Sequence, residues 1–267
     1  MSASDLWIDG APATIDDLAR QALVNYGAYT SFALQAGGVR GLDRHLARLT
    51  FAGQELFGAA VPEAEVRTQI RKALGDRRDA FVRVSLFSRE ISPRAPGYTG
   101  MPSVMVGVFP PVPPLGETPL RLQVQTYARE AAHLKHAATF GLVGARRKAA
   151  AAGFDDALFV NGDGRISEGS LWNIGFFRGD TVIWPEALML AGVSQALIRD
   201  HLAEVGLKQD IRVVTLGALS GLDGAFITNS ATPVCAVGCI GEHAFAPDPE
   251  RLSRVMAAWT AAEPQPV

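Results

Sequence analysis

Four features of the sequence place reactive or charged groups where a fold could use them. Lys135 stands in Ala132-His-Leu-Lys-His-Ala-Ala138, hemmed by small and apolar residues just ahead of an alanine-rich stretch. Most lysines are simply solvated, but one that loses part of its hydration offers a neutral amine that condenses with carbonyl groups. That is Schiff-base chemistry. Glu168 ends a strand-like run and opens Glu168-Gly-Ser170 in front of the apolar Leu171-Trp-Asn-Ile-Gly-Phe-Phe177. A carboxylate there either accepts backbone N–H bonds in a turn, which the local residues favour, or partners a buried cationic nitrogen. Gly192-Val193-Ser194 reads as a helix start capped by Ser194, with no acid before Asp200. Open N–H groups and a hydroxyl at the positive end of a helix dipole suit a phosphate, although an ordinary serine cap is the commoner case. Arg44 and Arg48 lie four apart on one helix face, with His45 beside them, either as surface charges or as a phosphate clamp.

Other chemistries fail on spacing. Cys235 and Cys239 are four apart in an apolar stretch, on one face of whatever element holds them, and read as small buried residues. His243 extends them to C-x3-C-x3-H, but no fourth ligand follows, so no metal is expected. Asn161-Gly-Asp-Gly164 puts Arg165 at the fifth position of a would-be calcium loop and is a hairpin turn instead. Gly37 to Gly41 has neither a phosphate-loop lysine nor dinucleotide register, and no Gly-x-Ser-x-Gly elbow occurs.

The elements that must carry these groups fall into two halves. Leu46, Leu49, Gly53, Leu56 and Phe57 recur at helical spacing behind an Asp43 cap, and Val66, Ile70, Ala73 and Leu74 do so before Gly75. Strand-like runs follow at 81–87 and 104–109, giving an α+β unit with helices on a small antiparallel sheet. Five prolines between Phe109 and Pro119 deny the backbone both ladder donors and helical continuity. We therefore expect a linker at 110–119 between domains 1–109 and 120–267. Beyond it come the alternating Leu120–Thr126, an alanine-rich helix closed by Gly153, and hairpins turning at 161–164 and 178–180, a density of strands that suggests a barrel-like sheet. A helix from Ser194 to Val205, strands at 212–215 and 225–228, and a last helix presenting Leu252, Val255, Met256 and Trp259 complete it.

With 25 basic against 27 acidic residues, the chain lacks the charge footprint of a nucleic-acid binder. The first seven residues include an acid and no apolar leader core, and no run approaches the roughly 20 apolar residues of a membrane span. A cytoplasmic protein with small-molecule partners is expected.

Taken in order, these segments resemble the class IV (fold type IV) pyridoxal-phosphate aminotransferases, the group of branched-chain and D-amino-acid aminotransferases and aminodeoxychorismate lyase. The resemblance rests on Asn25-Tyr-Gly-Ala-Tyr-Thr30, Arg44-His-Leu-Ala-Arg-Leu49, Leu134-Lys-His136, Ala150-Ala-Ala-Gly-Phe-Asp-Asp-Ala-Leu158, Gly164-Arg-Ile-Ser-Glu-Gly-Ser170 with Asn173, Leu190-Ala-Gly-Val-Ser194 and Ile227-Thr-Asn-Ser-Ala-Thr-Pro233. It implies a small α/β N-terminal domain and a larger pseudo-barrel C-terminal domain, usually dimeric, with the site between domains. It implies that Lys135 holds pyridoxal 5′-phosphate as an internal aldimine and shuttles the substrate proton, and that Glu168 keeps the pyridine nitrogen protonated. Arg48, the amides of Val193 and Ser194 and the Ser230 hydroxyl would bind the 5′-phosphate. Tyr29 and Arg83 are the substrate candidates, the arginine as a carboxylate clamp, with Arg89 and Arg94 as its rivals.

Two departures bear on the reaction. Phe140 stands where branched-chain enzymes have a tyrosine that contacts the cofactor, and Tyr29-Thr30 is nearer the lyase and D-amino-acid pattern. The leading expectation is an aminotransferase working between an amino acid or amine and a 2-oxo acid. The alternatives are aminodeoxychorismate lyase, which would eliminate pyruvate with the same lysine, and a cofactor-binding homologue without turnover.

Overall fold

The structure, a computed structural model, describes residues 5–113, 115 and 118–267. Pro114, Gly116 and Glu117 of the expected linker, and residues 1–4 of the amino-terminal segment, lie outside the described residues. The chain divides into two compact units. One is Met1–Pro113 with Leu134–Ala138 and Glu263–Val267, and the other is Pro114–His133 with Thr139–Ala262.

In the first unit β1 (Leu6–Ile8), β2 (Ala11–Pro12), α1 (Ile15–Leu23), β3 (Gly27–Leu34) and β4 (Gly38–Arg40) precede α2 (Leu42–Phe57), α3 (Glu63–Leu74), β5 (Ala80–Phe87) and β6 (Ser103–Phe109). The sheet runs β2-β1-β6-β5-β3, and every neighbouring pair is antiparallel. One face is apolar because alternate residues supply it: Val82, Val84 and Leu86, with Val104, Val106 and Val108, pack under Leu46, Leu49 and Phe57 of α2 and Val66, Ile70 and Leu74 of α3. Each such side chain contributes about 1.5–3 kcal/mol on burial. The expected Asp43 cap does not form. The helix begins at Leu42 behind Gly41, whose φ of 68° is left-handed, and the Asp43 N–H donates to Gln265 Oε1 at 2.9 Å. Gln265 arrives from the far end of the chain on a short strand (Pro264–Pro266) that pairs with β4. No local motif could announce that partner.

The second unit contains β7 (Leu120–Thr126), α4 (Phe140–Ala151), β8 (Asp156–Val160), β9 (Ile166–Gly169), β10 (Asn173–Arg178), β11 (Thr181–Pro185), α5 (Val193–His201), β12 (Lys208–Arg212), β13 (Gly224–Thr228), β14 (Cys235–Ile240), β15 (His243–Ala244) and α6 (Pro249–Ala261). With the short strand above as β16, its sheet runs β12-β11-β10-β13-β14-β7-β8-β9, with β15 paired to β14. The terminal strand β9 comes back against β10 and β11, so the sheet curls into a half-barrel. Successive residues face opposite sides: Phe176, Ile183 and Ile227 fill the interior, while Phe177, Val182 and Phe226 pack outward against Ile198 of α5 and Val255 of α6.

Two expectations fail for backbone reasons. A bulge between Val237 and Cys239 shifts the phase of β14, so Cys235, Val237 and Ile240 are buried and Cys239 leaves that face. Ser194 is not the cap of α5. Gly192 is, in extended conformation, and the α-helix ends at His201 before a separate 3₁₀ turn at Ala203–Val205.

Candidate active site

On the helix-free face of the first sheet, register alone assembles a cluster. Tyr29 pairs with Ser85 and Ser31 with Arg83, which puts Tyr29 and Arg83 on the same side as diagonal neighbours. The Arg83 guanidinium lies 3.6 Å from the Tyr29 ring centroid, and Lys135 Nζ lies 4.9 Å from the same centroid. Lys135 is brought there by edge pairing rather than by a helix: its carbonyl accepts the Tyr29 N–H at 2.8 Å, and the Ala137 N–H donates to the Gly27 carbonyl at 2.8 Å. Burial holds the Arg83 guanidinium below its usual range, while Tyr29 acts in the opposite direction.

On the other side of β3, Thr30 Oγ1 lies 2.6 Å from His45 Nδ1, both groups being buried. Burial, and then the charges of Arg48 and Lys135, push the His45 imidazole down to about 3, so it is neutral at pH 7. Arg44 and Arg48 are half-buried on α2, as the i, i+4 spacing requires. Arg89 is engaged elsewhere, with Asp9 and Asp17 each at 2.7 Å and with the Ser103 hydroxyl. Those carboxylates raise its pKa, and it is a structural residue of the first unit. Arg94 is exposed in a loop.

The second unit gathers anionic and N–H groups. Glu168 is buried in β9 itself, where Ser167 and Glu168 together oppose Phe159 in a bulge that re-aims the side chain. Its Oε1 is 3.4 Å from Arg129 Nη1, both side chains being under 10% exposed (5% and 7%), and its Oε2 accepts the Leu190 N–H at 3.2 Å. It is thus more than a turn residue. Sequence reasoning missed Arg129, whose loop offers no periodicity to read. Asn173 Nδ2 donates to the Leu190 carbonyl at 2.9 Å and holds the next segment, so a Cβ at Gly192 would overlap Asn173 Oδ1.

Gly192 offers no side-chain cap and the first turn of α5 has no acid, so the N–H groups of Val193 and Ser194 have no intrahelical partner. Ser230 is half-buried at the tip of a turn in which Asn229 Oδ1 accepts the N–H groups of Ala231 (2.9 Å) and Thr232 (2.7 Å). Phe140, first residue of α4, is 91% exposed and brings no hydroxyl to any of these groups. Among the described residues no three His, Cys, Asp or Glu side chains are placed to hold a metal ion, and burial raises the Cys235 thiol away from a thiolate ligand. No helix among them is long and apolar enough to cross a membrane.

Comparison with known proteins identifies the family. Residues 27–240 match the family described as amino-transferase class IV. A branched-chain-amino-acid aminotransferase 1, mitochondrial, of Arabidopsis thaliana is 31% identical over 98 residues, a match covering 35% of this chain and only about a quarter, 26%, of that protein's length. Among solved structures, the branched-chain amino acid aminotransferase of Thermoproteus uzoniensis with norvaline superposes with a TM-score of 0.80 at 21% identity, over 95% of this chain and 92% of that one. A 4-amino-4-deoxychorismate lyase from Pseudomonas aeruginosa does so at 0.79 and 24% identity, over 93% and 96%. The fold is shared with both activities, and with the family match spanning most of its length the chain belongs to the class IV aminotransferases, a family of pyridoxal-phosphate enzymes.

Proposed function

We propose that this enzyme is an aminotransferase moving an amino group between an amino acid or amine and a 2-oxo acid, with Lys135 as its catalytic residue. The observation that carries the reading is the shared surface of Tyr29, which has the Arg83 guanidinium at 3.6 Å and the Lys135 amine at 4.9 Å. A guanidinium binds a carboxylate in bidentate fashion, and an amine beside it is placed to handle the proton on the adjacent carbon. The remaining residues fit pyridoxal phosphate. Glu168 is a buried carboxylate met by the donors of Arg129 and Leu190, and it suits a cationic ring nitrogen. The open amides of Val193 and Ser194, the hydroxyls of Ser194 and Ser230 and the charge of Arg48 suit a phosphate.

Lys135 would hold the cofactor covalently. When bound, the cofactor supplies an electron sink for the charge left on the substrate Cα. Lys135 would take the proton from that carbon and return it on the cofactor side, while Glu168 would hold a proton at the ring nitrogen. Arg83 orients the substrate carboxylate and Tyr29 walls the reacting carbon from water. The proposal extends to a cytoplasmic homodimer whose two units serve as the small N-terminal and pseudo-barrel cofactor domains; sedimentation would check the oligomer.

Lyase activity is the second reading, favoured by Lys135-His136 and by Asn229-Ser-Ala-Thr-Pro233, which resemble the lyase sequences. Giving the loaded enzyme amino donor alone separates them. Conversion of the cofactor to its amino form identifies a transaminase; no such conversion, with pyruvate released once aminodeoxychorismate is supplied, identifies a lyase. No exchange with any amino acid or amine would identify a binding protein without turnover. Borohydride reduction and peptide mapping must place the cofactor on Lys135, and an unlabelled Lys135 would overturn the assignment.

A further inference from the structure

We infer that Asp156 is the positioning residue that fixes the orientation of Glu168, an inference that rests on the role proposed for Glu168 above. Asp156 opens β8 and is buried, whereas its neighbour Asp155 is exposed and accepts the Arg121 N–H. Its Oδ1 accepts the Ser170 hydroxyl at 2.7 Å and the Ala157 N–H at 2.7 Å. Its Oδ2 accepts the Trp172 indole N–H at 3.0 Å and faces Arg146 Nε at 3.5 Å. Each of these four groups is a donor.

Ser170 and Trp172 are the side chains that follow Glu168, and the segment between them is closed on itself. The Gly169 N–H donates to the Trp172 carbonyl at 2.9 Å, and the Trp172 ring lies so close over Gly169 that any Cβ there would overlap it. One carboxylate therefore grips the loop leaving β9 at two points. That grip matters because β9 is a terminal strand with a bulge, paired to β8 only through Leu158–Gly169 and Val160–Ile166. A bulge leaves one residue of slack, and a slip of one residue would turn Glu168 to the opposite face, away from Arg129 and the Leu190 N–H. A buried carboxylate is a poor choice for stability alone, since apolar packing serves as well; what it supplies is a single register.

The test uses the pyridoxal-phosphate-loaded enzyme and reads the cofactor dissociation constant, the pH midpoint of the bound cofactor's absorbance and the melting temperature. Asp156→Asn keeps an acceptor for Ser170 but turns an NH₂ toward the indole N–H. It should weaken cofactor binding about 10- to 100-fold, the loss expected for a hydrogen bond to a charged group, and move the midpoint. Adding Trp172→Phe removes the clashing donor and should restore binding to the level of Trp172→Phe alone. Glu168→Gln should itself weaken binding and move the midpoint, and Asp156→Asn added to it should change little more, because both act through one carboxylate.

If Glu168→Gln alters neither reading, the role of Glu168 fails. If Glu168→Gln alters both while Asp156→Asn, Ser170→Ala and Trp172→Phe lower only the melting temperature, the positioning role is overturned and Asp156 is merely structural. Should Asp156→Asn not fold, Ser170→Ala and Trp172→Phe, each removing one bond, decide the matter: wild-type affinity and midpoint in both would sink it.

Discussion

Around Tyr29 and His45 the first unit collects cations, and the second unit buries carboxylates at Glu168 and Asp156. The two regions hold their charges by different means. Arg83 and Lys135 lie against an aromatic face, an attraction without fixed direction, and the Lys135 backbone is pinned by directed bonds to β3. A long basic side chain lays an apolar stem along the protein and carries its charge at the far end. The carboxylates have short stems, and each is met by donors from two or more segments. An unsatisfied buried carboxylate is too costly to tolerate, so fixing one fixes the chain around it. In the proposed function the proton transfer belongs to the cation region and the tuning to the carboxylate region.

Replacing the moving group should do the most damage to rate. Lys135→Ala should lower turnover about 10⁴-fold or more, beyond the usual share of one general acid–base group, because in the proposed role the same amine also carries the cofactor. Its melting temperature should stay near wild type; steady-state assays at wild-type rate would dissolve the contrast.

The next effect is on stability, and it comes from the neutral member of the cation region. His45 titrates at about 3 when folded against 6.5 in an unfolded chain, so between those values the unfolded state binds the extra proton. Its contribution is complete above pH 6.5 and is lost as pH falls toward 3, by roughly 4–5 kcal/mol in all. Urea unfolding of His45→Phe from pH 7 to 4 should show a shallower fall than wild type, and parallel curves would mean that the imidazole is not held neutral.

A smaller and more selective effect is expected at the substrate end. Arg83→Met should raise KM for carboxylate-bearing donors about 10- to 100-fold, as loss of a charge-assisted pair would, and leave amines without a carboxylate nearly unaffected. Equal effects on both donor classes would remove Arg83 from substrate binding. Smallest of all, Arg89→Ala should cost about 1 kcal/mol or less, since its pairs with Asp9 and Asp17 are partly exposed, with kcat and KM unchanged. A raised KM would return Arg89 to the substrate site.

Periodicity made α2 and α3 of the first unit legible, since Leu46, Leu49, Val66 and Ile70 bury where their spacing puts them, whereas α1, which buries no residue, was not legible. Strands β7 to β11 and β13 and the turn at Asn161–Gly164 followed from alternation, apolar runs and turn chemistry, but the strand expected at 212–215 lies instead at Lys208–Arg212, and β14 and β15 were not legible as strands. Lys135 and Glu168 were legible as residues out of keeping with their surroundings. Their partners were not, because pairing at a distance leaves no local trace: Arg129 precedes Glu168 by 39 positions, Asp156 precedes Trp172 by 16, and Gln265 caps a helix 222 positions away.

The sequence by itself determined which faces are apolar and therefore which elements form, because burial of a periodic stripe is a local consequence of residue order. Only the tertiary structure decided where the charged groups point. The bulge in β9 turns Glu168 inward, the bulge in β14 separates the two cysteines, and edge pairing on β3 brings Lys135 to Tyr29. Each outcome depends on strand register, and register is fixed by the sum of contacts along both partners, which no single segment contains.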